Sequence, residues 1–387
     1  MYLKVLLFVF LLMAAFRLAF WIIISGNMAS PLDADAFKAF YIGLRFDARI
    51  AALFTLPFAV IACVPALARR LHSFALPLSL VYFPLFFGLV LVYSVDLGFY
   101  FYLGSRVTRV VFELLQDFSE AVDMVLQSYP IPLITTGIII TTACCSFILY
   151  RLIRKPVAPS PAMRKRIAGF ACGFLVFALA VYGQLNASLF PLRWSNAFFT
   201  TDESVIALGL NPVQSLYDTY GSDTGSFSLE EARRAYPFMA GFLRVDKPDE
   251  QSLNYLRTLP GKQNNAQTRP NVVVIIMESL SYPKTSFAPG NSDPTPRLRE
   301  LASESLLFHR YFANARTTAR AVFSVITGLP DLTVGRTGSR HPMVVAQRVV
   351  ATAFTDYDNF CLLGGPPTCA NIRAVLAQNI KDLDILE

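Results

Sequence analysis

Apolar positions fill the first half of the chain almost without interruption, whereas in the second half they alternate with polar ones. Five stretches, residues 4–25, 48–68, 74–95, 130–150 and 167–186, are long and apolar enough to cross a bilayer core, which takes about 20 residues of helix. The first has no small-residue cleavage site before Gly26 and four more apolar runs follow it, so it reads as a retained span. Past the fifth run, Pro191, Trp194, Phe198 and Phe199 suit a membrane interface, and residues 229–242 carry a polar helical pattern. The run from Lys262 to Pro270, polar and flanked by Pro260, reads as a linker. At Asn271 the pattern changes again. Val272 to Met277 form a continuous apolar run of strand length ending in Glu278 and Ser279, as expected of a central strand covered on both faces. Pro294 and Pro296 then open a helix over 297–306, followed by a strand over 306–312, a βαβ beginning. A helix from Thr318, another over 371–376 and a strand over 381–387 complete the reading. The expected organisation is a five-helix membrane domain (1–186), a juxtamembrane segment and linker (187–270), and an α/β part (271–387).

Composition sharpens this picture. Of 387 residues, 54% are hydrophobic and 16% charged, with a mean hydropathy of +0.46, which excludes an ordinary soluble globule. No period marks a solenoid, collagen or coiled coil. The net charge of +7 does not point to nucleic acid, because the bases gather beside apolar runs, where they orient a membrane protein. Arg69 and Arg70 follow the second run; Arg151, Arg154, Lys155, Arg164, Lys165 and Arg166 lie between the fourth and fifth. Those loops are expected in the cytoplasm. The alternate loops, with Asp33, Asp35 and Asp47, then Glu113, Asp117, Glu120 and Asp123, face outward, so everything after Leu185 is expected outside. Cys63, Cys144, Cys145 and Cys172 lie in apolar runs; Cys361 and Cys369 are available to pair if their half is extracytoplasmic. Arg17 and Asp96, in or beside spans, call for either a structural partner or snorkelling, or a lipid headgroup.

Two features carry candidate chemistry. Glu278, at the C-terminal end of a parallel-type strand, stands where α/β sheets bind ligands and is a candidate metal ligand. In the run from Asn314 to Pro330, Thr318 opens an apolar helical pattern, where free amides and the helix dipole favour a phosphate; the plainer alternative is that Thr317 or Thr318 only caps the helix.

The segments NVVVIIMES, DPTPRLRELASES, RTTARAVFSVITGLPD and GGPPTCANIRAVLAQN, in that order, resemble the sulfatase-type domain of lipoteichoic acid synthase and phosphoglycerol transferase proteins, in the alkaline phosphatase superfamily. Five helices, the AFYIGLRFD segment before the second, and an external C-terminal domain are similar to that family's organisation. The resemblance implies a membrane-anchored, metal-dependent transferase in a bacterial plasma (inner) membrane, moving phosphoglycerol or a related headgroup from a phospholipid such as phosphatidylglycerol to an extracytoplasmic glycan or lipid acceptor. By the same resemblance Glu278 binds a divalent cation (manganese, magnesium or zinc), Thr318 is the nucleophile that also touches the metal and carries a phospho-threonine-type intermediate, and Arg320 assists with phosphate charge. No cysteine lies in the C-x-P-x-R context of a sulfatase proper. Phosphoethanolamine transferases also use a Thr, but their surroundings differ from RTTARAVFS.

The chain departs from the family in length: Asn271 to Glu387 is less than half of such a domain, and the remaining Asp and His ligands are not found. His72, His309 and His341 stand in no matching motif and are expected as structural or surface residues. The C-terminus is expected to be cut within the fold. Two classes therefore stay open: a transferase, either represented by a fragment or completed by a separate chain, and a non-catalytic membrane protein.

Overall fold

In the computed structural model the described residues are 2–114, 129–155, 163–184, 191–220, 228–258, 270–290, 292–315, 317–331, 337–342, 344–354, 356–364 and 371–386. The expected linker over 262–269 and Cys369 lie outside them. The chain divides into two compact units: residues 1–222 with 323–331 and 336–387, and residues 223–322 with 332–335.

The first unit begins with the helices α1 (Tyr2–Ile24), α2 (Ala34–Phe54), α3 (Leu56–Cys63) and α4 (Pro65–Arg70). It continues with α5 (Ala75–Leu103), α6 (Val110–Leu114), α7 (Ile131–Ile153) and α8 (Met163–Tyr182). α1 is apolar all round, yet only one face is buried, Val5, Val9, Met13, Phe20 and Ile24 at helical spacing, while Leu3, Leu7, Leu11, Leu18 and Ile22 are exposed. That is the pattern of a helix with protein on one side and lipid on the other.

Among the described residues three segments are long and apolar enough to cross a membrane, Tyr2–Asn27, Leu71–Leu103 and Ile131–Ile153; a fourth exists if α2 and α3, bent by 54° at Thr55, form one span. The expected second run, 48–68, is thus the later part of α2 followed by α3 and α4. The bend follows from Pro57 in the first turn of α3, which has no amide to continue the ladder, and the Thr55 hydroxyl bonds back to the Ala51 carbonyl at 2.7 Å. The apolar part of α8, Ala168–Tyr182, is shorter than the others.

Two buried ion pairs account for the awkward charges. Arg17 Nη2 lies 2.6 Å from Asp47 Oδ1, and Arg17 Nε donates to Asp47 Oδ2 at 2.7 Å. Arg17 Nη1 also donates to the carbonyls of Leu208 and, at 2.9 Å, Leu210. Asn211 Nδ2 donates to Asp47 Oδ1 at 2.8 Å and reaches the Tyr93 hydroxyl at 2.9 Å. Asp96 lies within α5, not after the span, and is paired with Arg106, whose Nε donates to the Ala207 carbonyl at 2.8 Å. Both charges therefore have structural partners, and the headgroup alternative falls away for them. Gly43 is required where α2 passes α1: a Cβ there would overlap the Arg17 guanidinium.

Residues 192–220, with α9 (Glu203–Gly209) and α10 (Pro212–Tyr220), supply those carbonyls and pack on the helix ends. The unit closes with β1 (Asn359–Leu362), a helix Ile372–Asn379 and β2 (Leu383–Leu386), the strands pairing in parallel with Asn359 opposite Leu383. The helix buries Ala374, Val375 and Leu376 against Leu192, Trp194 and Phe198. The predicted C-terminal helix and strand are present, within this parallel pair.

In the second unit, α11 (Leu229–Leu243) starts at Ser228, whose hydroxyl accepts the Glu231 amide at 3.2 Å, and ends at Arg244 with φ 54°. Its Tyr236, fully buried, donates through its hydroxyl to the Asn254 carbonyl and accepts the Asp249 amide at 2.8 Å. The predicted helix after Pro296 is α12 (Pro296–Ser303). The strands predicted over 271–277 and 306–312 do not form: both stretches are irregular, and Val273, Val274 and Ile275 are more than two-thirds exposed. Apolarity selects a covered strand only when neighbouring strands complete the hydrogen-bond ladder, and the two strands among the described residues, β1 and β2, pair with each other.

Asp47→Ala would leave Arg17 buried and unpaired, at a cost of about 3–5 kcal/mol. The thermal unfolding midpoint of the detergent-purified chain is expected to fall accordingly, with Arg17→Met/Asp47→Leu recovering at least half of the loss. Gly43→Ala is expected to lower the midpoint in the same assay by displacing the guanidinium.

Candidate active site

Thr318 is the first residue of α13 (Thr318–Thr327). The Thr317 carbonyl accepts the first helical bonds, from the amides of Arg320 at 3.1 Å and Ala321 at 3.0 Å, which makes Thr317 the residue at the cap position. The Thr318 hydroxyl turns elsewhere: its Oγ1 donates to Glu278 Oε1 at 2.7 Å. The two residues, 40 apart in sequence, are thus brought together, and both are exposed. Thr317 holds the cap position, and Thr318 faces the carboxylate.

Glu278 ends the apolar run, and the backbone turns sharply directly after it, Ser279 adopting φ 56°. A residue with a Cβ enters this left-handed region at a steric cost, which strained turns at functional sites commonly bear. Ser279 also donates its hydroxyl to Glu278 Oε1 at 3.3 Å. Ser279 was not singled out from the sequence; its only signal there is its place directly after the carboxylate that ends the run. Arg320, in the first turn of α13, is partly buried.

The two oxygens suit a hard cation. Their separation of 2.7 Å is close to the roughly 2.9 Å between neighbouring oxygen ligands of an octahedral ion bound at about 2.0–2.1 Å. They make an incomplete set, and among the described residues no group of three or more His, Cys, Asp or Glu side chains could hold a metal. Of the histidines, His72 lies in the short turn Leu71–Phe74 beside Ser73, His309 is exposed, and His341 is buried.

No curated protein and no solved structure matches the chain. Residues 270–352 match the Sulfatase family model. This stretch contains Glu278, Thr318 and Arg320, and the match supports a sulfatase-type domain of the alkaline-phosphatase superfamily in the C-terminal part of this chain.

Proposed function

We propose that the chain is a membrane-anchored, metal-dependent transferase that moves phosphoglycerol, or a related phospholipid headgroup, from a lipid donor to a glycan or lipid acceptor outside a bacterial plasma membrane. The observation that carries this reading is the 2.7 Å bond between Thr318 and Glu278 inside the sulfatase-matching stretch. A hydroxyl held at a helix N-terminus beside a carboxylate is a nucleophile placed where a phosphoryl group is favoured by the dipole and the free amides.

In this reading Thr318 Oγ1 attacks the phosphorus of the headgroup and the bond to the diacylglycerol oxygen breaks, giving a threonine-linked phosphoglycerol diester and diacylglycerol, which takes up the proton; an acceptor hydroxyl then attacks the same phosphorus, takes the phosphoglycerol group and returns a proton to Thr318. The chain's own contribution is to hold the Thr318 proton toward Glu278 Oε1 and to supply Arg320, two residues on in the first turn of α13, for phosphate charge. Glu278 and Thr318 would supply two ligands to a divalent cation, manganese, magnesium or zinc, which when bound offsets negative charge on the phosphoryl oxygens and eases loss of the hydroxyl proton.

The membrane arrangement proposed is five crossings with the N-terminus in the cytoplasm. Its support is that the chain brings the later half of α1, the segments following α5 and α8, the turn before α2 and the middle of α2 to one place: Arg17 and Arg106 bond the Ala207–Leu210 backbone, Arg45 bonds the Gly183 carbonyl, and the Ala29 amide bonds Asp202. Helices of alternating direction, with α7 running back, meet this requirement with α8 as the fifth crossing.

Thr318→Ala is expected to abolish headgroup release from labelled phosphatidylglycerol while leaving expression and unfolding unchanged, and Thr317→Ala to be far milder. Equal loss in both would exclude Thr318 as the nucleophile. Elemental analysis of the purified chain is expected to find a divalent metal that Glu278→Gln retains less well. Equal metal content in the two proteins would remove Glu278 from the ligand set.

A further inference from the structure

A second polar feature shares no residue with the Glu278 and Thr318 pair. Within the first unit, a cavity of about 250 Å³ is lined by Lys38, Tyr41 and Arg45 of α2, Gln184 beyond α8, Ser195 and Asn196 before α9, Phe199, and Asn371 and Arg373 at the C-terminal helix. Among the described residues, three cations and no carboxylate line it. Its size is below the range of pockets for drug-sized ligands, about 300–1,000 Å³, and suits a small polar group.

The carboxamides around the cavity have their acceptor ends engaged. Gln184 Oε1 accepts from Arg45 Nη2 at 2.9 Å, Asn196 Oδ1 from the Arg193 amide at 2.8 Å, and Asn371 Oδ1 from the Ser195 hydroxyl at 2.8 Å. Their amide nitrogens make no hydrogen bond among the described residues, which leaves a lining of donors. Arg45 is fixed further by the bond from its Nε to the Gly183 carbonyl at 2.5 Å, where Gly183 ends α8 with φ 69°. Lys38 Nζ stands 4.0 Å from the centre of the Phe199 ring. Asn371 is almost fully buried and held at φ 58°, a left-handed conformation that asparagine enters more readily than most residues with a Cβ.

Donors and cations, with no carboxylate among the described lining residues, are complementary to an oxyanion with several oxygens. The cavity lies against α2 between Lys38 and Arg45 and at the end of α8, beside exposed Leu32, Phe37 and Tyr41, an apolar and aromatic rim of the kind that suits a membrane interface. We infer that it binds the phosphate of an anionic membrane-lipid headgroup, independently of whether that lipid is consumed.

The test uses the full chain in nanodiscs of phosphatidylcholine with a minor fraction of phosphatidylglycerol, with lipids retained after exchange into detergent counted by native mass spectrometry. Wild type is expected to retain phosphatidylglycerol preferentially. Near a membrane surface each cation contributes about a fivefold factor, so Lys38→Gln/Arg373→Gln is expected to lose on the order of 25-fold in preference. Lys38→Arg is expected to keep it, and an unchanged unfolding midpoint shows that the variants are folded. Preference surviving in the double variant would overturn the proposal. Inorganic phosphate that binds to wild type in detergent and not to the double variant, without lipid preference, would assign the cavity to free phosphate and overturn the lipid source. Thr318→Ala is expected to retain the preference, so this inference and the transfer reading fail separately.

Discussion

The buried pair of Arg17 and Asp47 is the constraint on which the first unit depends. A guanidinium in the middle of a spanning helix costs about 2.5–3.5 kcal/mol to insert. Here it is bonded on every side: by the Asp47 carboxylate from α2 and by two backbone carbonyls at the end of α9. Asn211 completes the shell by donating to both Asp47 and Tyr93. Four segments separated by up to nearly two hundred residues are thereby held to one point, and removing any partner leaves a charge or carbonyl without compensation. Gly43 is the steric counterpart of that arrangement, since the charge passes where a side chain would be.

The second pair repeats the logic one layer away. Asp96 accepts from Arg106 and from the Val107 amide at 2.8 Å, Arg106 reaches the Ala207 carbonyl, and its guanidinium lies 3.5 Å from the centre of the Phe20 ring. Together the two pairs stitch the Ala207–Asn211 stretch onto the helix ends, and the apolar contacts of Trp194, Phe198 and Leu192 with the C-terminal helix extend the same body outward. In the same unit Arg45, which lines the polar cavity, is likewise held by a backbone carbonyl, that of Gly183.

The candidate active site is of another kind. Glu278 and Thr318 are exposed, and their association rests on one short hydrogen bond and a strained turn. Beside them Val272 to Met277 present six apolar side chains, each about half or more exposed. Among the described residues nothing covers this strip, and an exposed apolar patch of that length is a surface suited to association. The chemistry proposed for Thr318 belongs to this open arrangement, and its two oxygens are fewer than the set a hard cation takes.

Much of this protein was legible from residue order. Apolar runs longer than any soluble helix needs identified α1, α5 and α7 because lipid imposes a length and a composition locally. Pro296 and the hydroxyls before Ala319 marked helix starts for reasons confined to one turn. Glu278 and Thr318 were legible as types at the end of an apolar run and the start of a helix. Their meeting across 40 residues was not, since a hydrogen bond depends on where the chain returns and not on either residue's neighbours. The same holds for Arg17 and Asp96: sequence required partners, and only the packed helices chose Asp47 and Arg106 over a headgroup. The strands expected over 271–277 and 306–312 failed because a strand is a property of a ladder, whereas a helix closes its hydrogen bonds within itself.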